Sequence, residues 1–247
     1  MSGHSKWSSI KHKKAKKDAQ RGNLFSRFSR KLTVEAKAGG DPATNPGLRL
    51  AVDIAQAAGM PKENIRKAIQ RGTGELPGVN YTEFTCEGYG PGGVALLIEG
   101  VTDNKKRAIP QIRHILSQHG GHLGEVGCVN WLFDRKGSVV LNKKEIDEDK
   151  VIEMAVEIGA EDIKEEGSSL EIIFAPEQFN QVKENIEKIG YAPGLLELTM
   201  IPQTTVPLEE KEALRMLRLM DLLEDSEEVQ KVYANFDIPE EVMEKVS

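Results

Sequence analysis

The chain of 247 residues has little cysteine and no long apolar run, and each shortage excludes a class of protein. Its two cysteines, Cys86 and Cys128, are too few for a disulfide scaffold or a cysteine-based zinc site, and they fit a reducing compartment. The longest strictly aliphatic run, residues 94–98, is far shorter than the roughly 20 residues that a membrane span needs. Hydrophobic residues still make up 39% of the chain, which predicts a globular protein with real cores rather than a disordered chain.

Charge is divided unevenly along the chain. Residues 1–71 contain 16 Lys and Arg against five Asp and Glu, whereas the remaining 176 residues contain 17 against 34. The formal net charge is therefore +11 in the first stretch and −17 in the rest. We call residues 1–77 the head and residues 78–247 the body. A cationic head on an acidic body predicts that the head binds polyanions.

The first 22 residues form a basic arm that is too polar to pack a core of its own. Trp7 and Ile10 are its main apolar residues, and Asp18 is its one acid. We expect the free arm to be extended or only partly helical. It has no apolar segment of the kind that a secretory signal needs, and its cations are mostly lysine where a mitochondrial transit peptide favours arginine. A nucleic-acid-binding arm is the favoured interpretation.

Three helices are predicted in the head after the arm. The first carries apolar residues at helical spacing over residues 24–36. The second starts with Asn45 as its N-cap and Pro46 as its first residue. The third starts at Pro61 and ends at Gly72.

The body alternates predicted strands and helices. Residues 138–201 by themselves follow the order strand-helix-strand-strand-helix-strand, which is the ferredoxin-like order. Before this unit come a buried strand at residues 94–101, a helix, and a strand at residues 129–133 that ends before a break at Lys136-Gly137. After it come a short strand at residues 204–206, a long helix and a strand at residues 229–236. We infer a second unit of the same kind, interrupted by the first, in which residues 229–236 pair with residues 94–101.

The predicted fold class is therefore α+β multidomain, with an N-terminal three-helix head followed by two ferredoxin-like α/β units, one inserted in the other. The predicted domains are residues 1–77, residues 78–135 with 203–247, and residues 136–202. A linker at residues 74–80 should carry the head. The head would then lie on a polyanion while repulsion holds the acidic body away from it.

Two motifs that suggest ligand or metal chemistry have simpler structural explanations. Residues 88–93 match G-x-G-x-x-G, but a strand rather than a helix follows them and Pro91 lacks a backbone N–H, so a tight hairpin turn is favoured. The spacing of His114, His119 and His122 does not favour a shared metal ion. His114 and His119 are five residues apart, which is a turn of about 140° around a helix, so they do not lie on the same face. We predict no enzyme activity, no metal and no cofactor. An enzyme that used the cleft between the two α/β units would need a ligand at residues 88–93.

The basic residues of the head are the candidate nucleic-acid-binding site. Lysines at this density neutralise phosphates and release counterions, and Trp7 could stack on an unpaired base. A merely solubilising tail is the alternative. The third helix carries phosphate-type cations, with only Asn64 and Gln70 suited to base edges, which favours backbone binding or structured RNA. The candidate residues are Lys6, Trp7, Lys11, His12, Lys13, Lys14, Lys16, Lys17, Arg21, Arg27, Arg30, Lys31, Arg66, Lys67 and Arg71.

Several long motifs closely resemble the YebC/PmpR family, and the resemblance covers essentially the whole chain. They are residues 1–8 (MSGHSKWS), 10–17 (IKHKKAKK), 88–93 (GYGPGG), 130–133 (NWLF), 222–225 (LLED) and 229–238 (VQKVYANFDI). The resemblance implies a three-domain bacterial cytoplasmic protein without known enzyme activity or cofactor. A mitochondrial relative activates translation of a respiratory-chain subunit, cytochrome c oxidase subunit I.

The resemblance implies two alternative roles for a nucleic-acid-binding regulator of gene expression. Members of the family are described as probable DNA-binding transcriptional regulators. They are also placed on the ribosome, where they act on RNA near the peptidyl-transferase centre and relieve stalling on proline-rich stretches. The partner is accordingly DNA, ribosomal RNA or both, with no membrane involved. A scaffold whose acidic body binds a basic protein is a further, weaker alternative.

Overall fold

The computed structural model describes residues 18–191 and 195–238, which contain seven helices and ten strands. Helices come first and antiparallel sheets follow, which confirms the predicted α+β class. No helix within these two ranges is both long and apolar enough to cross a membrane. The elements are, in chain order, α1 (Asp18–Glu35), α2 (Pro46–Ala57), α3 (Lys62–Thr73), β1 (Thr82–Tyr89), β2 (Ala95–Thr102), α4 (Lys105–Gln118), β3 (His122–Leu123), β4 (Phe133–Asn142), α5 (Glu148–Glu157), β5 (Asp162–Glu166), β6 (Ser169–Phe174), α6 (Phe179–Lys188), β7 (Leu195–Pro202), β8 (Val206–Pro207), α7 (Glu210–Glu224), β9 (Val229–Ala234) and β10 (Phe236–Asp237).

The three head helices begin and end close to their local sequence signals. Asn45 caps α2 as predicted: its Oδ1 accepts the Leu48 N–H at 3.1 Å, and Pro46 is the first helical residue. The Asn45 amide also donates to the backbone carbonyls of Glu35 and Gly39, both at 2.8 Å. One side chain therefore joins the start of α2 to the end of α1.

Small residues let α3 lie close against α1. A Cβ added to Gly72 would come within 2.3 Å of the Thr33 carbonyl oxygen and 2.6 Å of the Ala36 Cβ, so only glycine fits there. The Thr33 hydroxyl lies in the same contact and donates to the Ala68 carbonyl at 3.1 Å. This packing gives the head a small core of its own, which buries Leu32, Ala36, Leu48, Ala51, Ala55, Met60, Ile65 and Ala68.

The segment of the body between residues 133 and 202 forms its own four-stranded sheet. The strand order is β5-β6-β4-β7, and all neighbours are antiparallel. With α5 and α6 between the strands, this is the predicted ferredoxin-like order. The two helices cover one face of the sheet and share a core with it, built around the fully buried Leu141, Ile172 and Phe174.

The other four-stranded sheet has the order β3-β1-β2-β9, again antiparallel throughout. The predicted pairing across about 130 residues is confirmed, because Leu96 in β2 faces Ala234 in β9 and Ile98 faces Val232. Helices α4 and α7 pack on this sheet and complete the largest core. One sheet is thus inserted between two strands of the other. The domain boundaries themselves remain our proposal.

The second sheet also shows where the predicted strands were wrong. β1 was not predicted, yet it occupies the place that the third strand holds in a ferredoxin-like sheet, between β2 and β3. The prediction gave this place to residues 204–206, which is wrong, because Val206 belongs to β8 and β8 pairs with β10 outside this sheet. Residues 129–132 do not form a strand: residues Asn130–Leu132 form a 3-10 turn, and the strand begins only at Phe133, as part of β4. The reason is that the N–H groups of Val129 and Asn130 donate to the buried Glu87 carboxylate, which removes them from any ladder.

The predicted break at Lys136-Gly137 is also wrong, because β4 runs through it without interruption. Gly137 lies directly opposite Phe174, and a Cβ at Gly137 would come within 2.0 Å of the Phe174 ring. The glycine therefore makes room for an aromatic ring that crosses from the neighbouring strand. The other sheet has the same arrangement: Gly100 lies opposite Phe84 and leaves room for its ring.

Candidate nucleic-acid interface

The basic residues of α3 lie on the face that points away from the core of the head. Lys62, Arg66, Lys67 and Arg71 are all exposed, whereas Ile65 and Ala68 on the opposite face are buried. This separation follows from the helical repeat of 3.6 residues. α3 thus presents a cationic surface that a polyanion can reach.

Two of these cations share one acidic partner. The Arg66 guanidinium donates to both carboxylate oxygens of Glu63, at 3.0 and 2.7 Å, and Lys67 Nζ lies 3.7 Å from the same side chain. Hydrogen bonding with Arg66 holds the pKa of Glu63 below its ordinary value and raises the pKa of Arg66. The pairs are solvent-exposed and weak, so a phosphate can compete for both cations.

Arg71 is positioned by the linker that follows α3. The exposed Arg71 lies in the last turn of α3, and a Cβ on Gly78 would come within 3.1 to 3.3 Å of three carbons of the Arg71 stem. The absence of a side chain at Gly78 therefore lets the stem lie along the linker backbone. Gly74 caps the helix in the left-handed conformation that favours glycine.

Three other predicted residues, Arg27, Arg30 and Lys31, contact the body instead of open solvent. Arg27 is half-buried and donates to the backbone carbonyls of Glu224, at 3.1 Å, and Gln230. Burial lowers the pKa of Arg27, although nearby carboxylates favour its charged form. This contact between head and body was not predicted, and it means that the linker alone does not set the position of the head.

Arg30 and Lys31 strengthen the same contact with charge. Arg30 donates to the carbonyl and the carboxylate of Glu227, at 2.6 and 2.8 Å. Lys31 Nζ lies 2.7 Å from both Glu35 and Glu83. Burial disfavours the Lys31 ammonium, but its hydrogen bonds with the two carboxylates outweigh this effect and hold its pKa above the ordinary value. Phosphate binding by Arg27, Arg30 and Lys31 stays a prediction, and it would require them to leave these partners.

The remaining predicted residues belong to the basic arm. Eight of them lie outside the described residues, and the side chain of Arg21, which belongs to α1, lies outside what the structure describes. They are Lys6, Trp7, Lys11, His12, Lys13, Lys14, Lys16 and Lys17. Their binding role remains a prediction.

A cavity of about 520 Å³ lies where the head meets both sheets of the body. Its lining mixes both signs of charge, and one pair of opposite charges is in contact there: Lys231 lies 2.6 Å from Glu197. The Tyr233 hydroxyl, also in the lining, donates to Glu99 at 3.2 Å. Burial first, and then the neighbouring carboxylates, raise the pKa of Tyr233. Arg135 and Lys231 were not anticipated here, because only the tertiary fold brings β4 and β9 beside α1.

Residues 88–93 and His122 form contacts that stabilise the fold. Gly90 N–H donates to the Val94 carbonyl at 2.8 Å and closes a tight turn between β1 and β2. The ring of His122 packs on Tyr89, with centroids 5.5 Å apart. Among the described residues, no group of three or more His, Cys, Asp or Glu could hold a metal ion.

The fold and this surface define a class: a three-part α+β protein with a cationic helical head and two ferredoxin-like units, one inserted in the other. Comparison with known families agrees with each part. Residues 5–75 match the family described as TACO1/YebC protein N-terminal domain, and residues 81–236 match TACO1/YebC second and third domain. The chain belongs to the TACO1/YebC family, which confirms the resemblance found in the sequence.

Relatives match over the full length. Proteins from Dictyoglomus turgidum and Dictyoglomus thermophilum, each named a probable transcriptional regulatory protein, are 51% and 53% identical over 249 residues, with all of this chain and all of each relative covered. The crystal structure of a conserved hypothetical protein from Aquifex aeolicus superposes with a TM-score of 0.81 at 43% identity, covering 90% of this chain and 93% of that chain.

Proposed function

We propose that this protein is a non-enzymatic, cytoplasmic regulator of gene expression that binds nucleic acid through its basic head, without a cofactor. The exposed cationic face of α3, on a head of net charge +10 beside a body of −16, carries the proposal. Phosphodiester backbones are the polyanions that such a surface attracts, through counterion release. The names of the full-length relatives, probable transcriptional regulatory protein, support a regulatory role.

DNA is the first candidate target, because the relatives' names point to transcription. Structured RNA, including the ribosomal RNA implied by the sequence resemblance, is the second. The composition of the α3 face favours this second candidate, because arginine and lysine dominate it and Asn64 is its one exposed amide side chain. Contacts with the phosphodiester backbone can be made to a structured RNA as well as to a DNA duplex.

A salt titration tests the head directly. If the head neutralises about six phosphates, the logarithm of the association constant should fall with log[salt] with a slope near −5 for duplex DNA and about −4 for single strands. Binding of the full chain to a mixed-sequence DNA duplex and to an RNA stem-loop would be measured in parallel. A flat salt response with both probes would refute phosphate binding.

Charge-neutralising variants locate the binding site. R66Q/K67Q/R71Q removes three exposed cations, so at 0.1 M salt the affinity for a duplex should fall by about 500-fold if each cation contacts one phosphate. The triple variant K144Q/K150Q/K188Q changes the net charge equally on exposed lysines of the inserted unit and should leave the affinity unchanged. Equal losses in both variants would contradict the assignment to the head. A sharply preferred DNA sequence would select the transcriptional role, and preference for the stem-loop would select the RNA role.

A further inference from the structure

Helix α4 is a basic element on the otherwise acidic body. Residues 104–124 contain no Asp or Glu, and within them α4 carries Lys105, Lys106, Arg107 and Arg113. No other stretch of the body is free of acids over so many residues. The sequence analysis did not use this signal, because the net charge of the body concealed it.

The cations of α4 differ in how they are held. Arg107 contacts Asp103, at 2.6 Å, and the buried Glu228, so it has a structural role at the start of the helix. Lys105, Lys106 and Arg113 are exposed and form no ion pair with any residue in the described part of the chain. Lys106 and Arg113 lie seven residues apart, which is two turns or about 10.5 Å along one exposed face.

The beginning of α4 lies next to the head. Glu227 binds Arg30 of the head, and the next residue, Glu228, binds Arg107 of α4. The positive charges of both Arg107 and Arg30 help to hold the pKa of Asp103 below its ordinary value, with the Arg107 hydrogen bond the largest effect. The cations of α4 thus begin where the head contacts the body.

We propose that α4 extends the nucleic-acid-binding surface of the head onto the body, and that Lys105, Lys106 and Arg113 contact phosphates of the same polynucleotide. This inference rests on the proposed function. A phosphodiester chain fits because it is a continuous polyanion that can leave the head and follow a run of cations. The local absence of acids removes the repulsion that the rest of the body would exert on it. The positive N-terminal end of the α4 dipole adds attraction for an anionic oxygen.

The test is the full-length variant K106Q/R113Q, with the polynucleotide that the intact protein binds more tightly as probe. Losing two phosphate contacts should reduce the steepness of the salt slope by about 1.8 for a duplex, or by about 1.4 for a single strand. For a duplex this corresponds to an affinity loss of about 60-fold at 0.1 M salt. Glutamine is a good helix former and both side chains are exposed, so the melting temperature should stay within a few degrees of the intact protein.

Controls separate this inference from the proposed function. The variant K144Q/K188Q makes the same charge change on the inserted unit and should bind like the intact protein. If K106Q/R113Q also binds like the intact protein while R66Q/K67Q/R71Q is weakened, α4 is not part of the surface and the proposed function stands. If neither variant is weakened, both proposals fail. Poly-glutamate of equal charge should compete poorly; competition as strong as that of the polynucleotide would indicate an acidic protein partner and overturn the inference.

Discussion

The loop between β3 and β4 should depend on one buried carboxylate. Glu87 lies in β1 with 8% of its surface exposed, and it accepts the backbone N–H groups of Gly127, Val129 and Asn130 at 2.7 to 2.8 Å. This loop presents Trp131, with 65% of its surface exposed. A hydrogen bond to a charged group contributes about 1.5–3 kcal/mol, and a neutral one about 1 kcal/mol.

We therefore expect E87Q to lower the free energy of unfolding by about 2–3 kcal/mol. The carboxamide oxygen can keep two neutral bonds, but its NH₂ group would meet the third N–H, donor against donor. In the intact protein, burial would raise the pKa of Glu87, but the three N–H donors outweigh burial and hold the pKa below its ordinary value. The ionised form is thus favoured by folding. Its stabilising effect is complete above the unfolded-state pKa of about 4.3 and is lost as the pH falls through the lower native value.

Urea unfolding in a Trp7→Phe background, which leaves Trp131 as the one tryptophan, would measure this effect by fluorescence. The difference in unfolding free energy between the intact side chain and E87Q should be largest near pH 7 and should shrink below about pH 4. The exposed neighbour variant E125Q should change stability by less than about 0.5 kcal/mol. A difference that is equally large at pH 7 and pH 3 would refute the role of the charge.

Further predictions concern the packing of the fold. Gly137→Ala should destabilise the protein by about 2 kcal/mol or more, because Phe174 must leave its place, whereas Gly22→Ala in α1, where a Cβ meets nothing within 4 Å, should be neutral or stabilising; thermal unfolding compares them. Asn45→Ala removes a helix cap and two further hydrogen bonds and should cost about 1–2 kcal/mol in urea unfolding, while Asn45→Asp should retain the cap alone. Arg27→Met should increase amide hydrogen exchange in the α1 segment that contacts β9, while the two sheets stay protected. Unchanged exchange in α1 would show that the Arg27 hydrogen bonds do not stabilise the contact between head and body.

Local signals in the sequence were sufficient for the head and for the inserted unit. Asn45 followed by Pro46 specifies a helix start whatever surrounds it, because the cap bonds lie within four residues of each other. The order of elements over residues 138–201 was likewise readable from hydrophobic periodicity, because each helix and strand there buries one regular face. Charge counts along the chain were enough to single out the head as the cationic part.

Contacts between distant residues decided the rest. β1 was missed because Glu87 looks too polar for a buried strand, and its three partners lie about 40 residues further along the chain. Gly137 predicted the end of a strand because glycine is uncommon within strands. The reason for a glycine at this position is the ring of Phe174, which lies on another strand and fills the space above Gly137.

The sequence alone determined that the head is cationic, but tertiary structure decided which of its cations face solvent. Arg66 and Arg27 are both arginines on amphipathic helices of one head, and nothing local distinguishes them. Arg66 remains exposed beside its helical neighbour Glu63, whereas Arg27 meets carbonyls of the body that are about 200 residues away in the chain. A side chain's charge is a property of its residue type, but its availability depends on which acceptors folding brings within hydrogen-bonding distance.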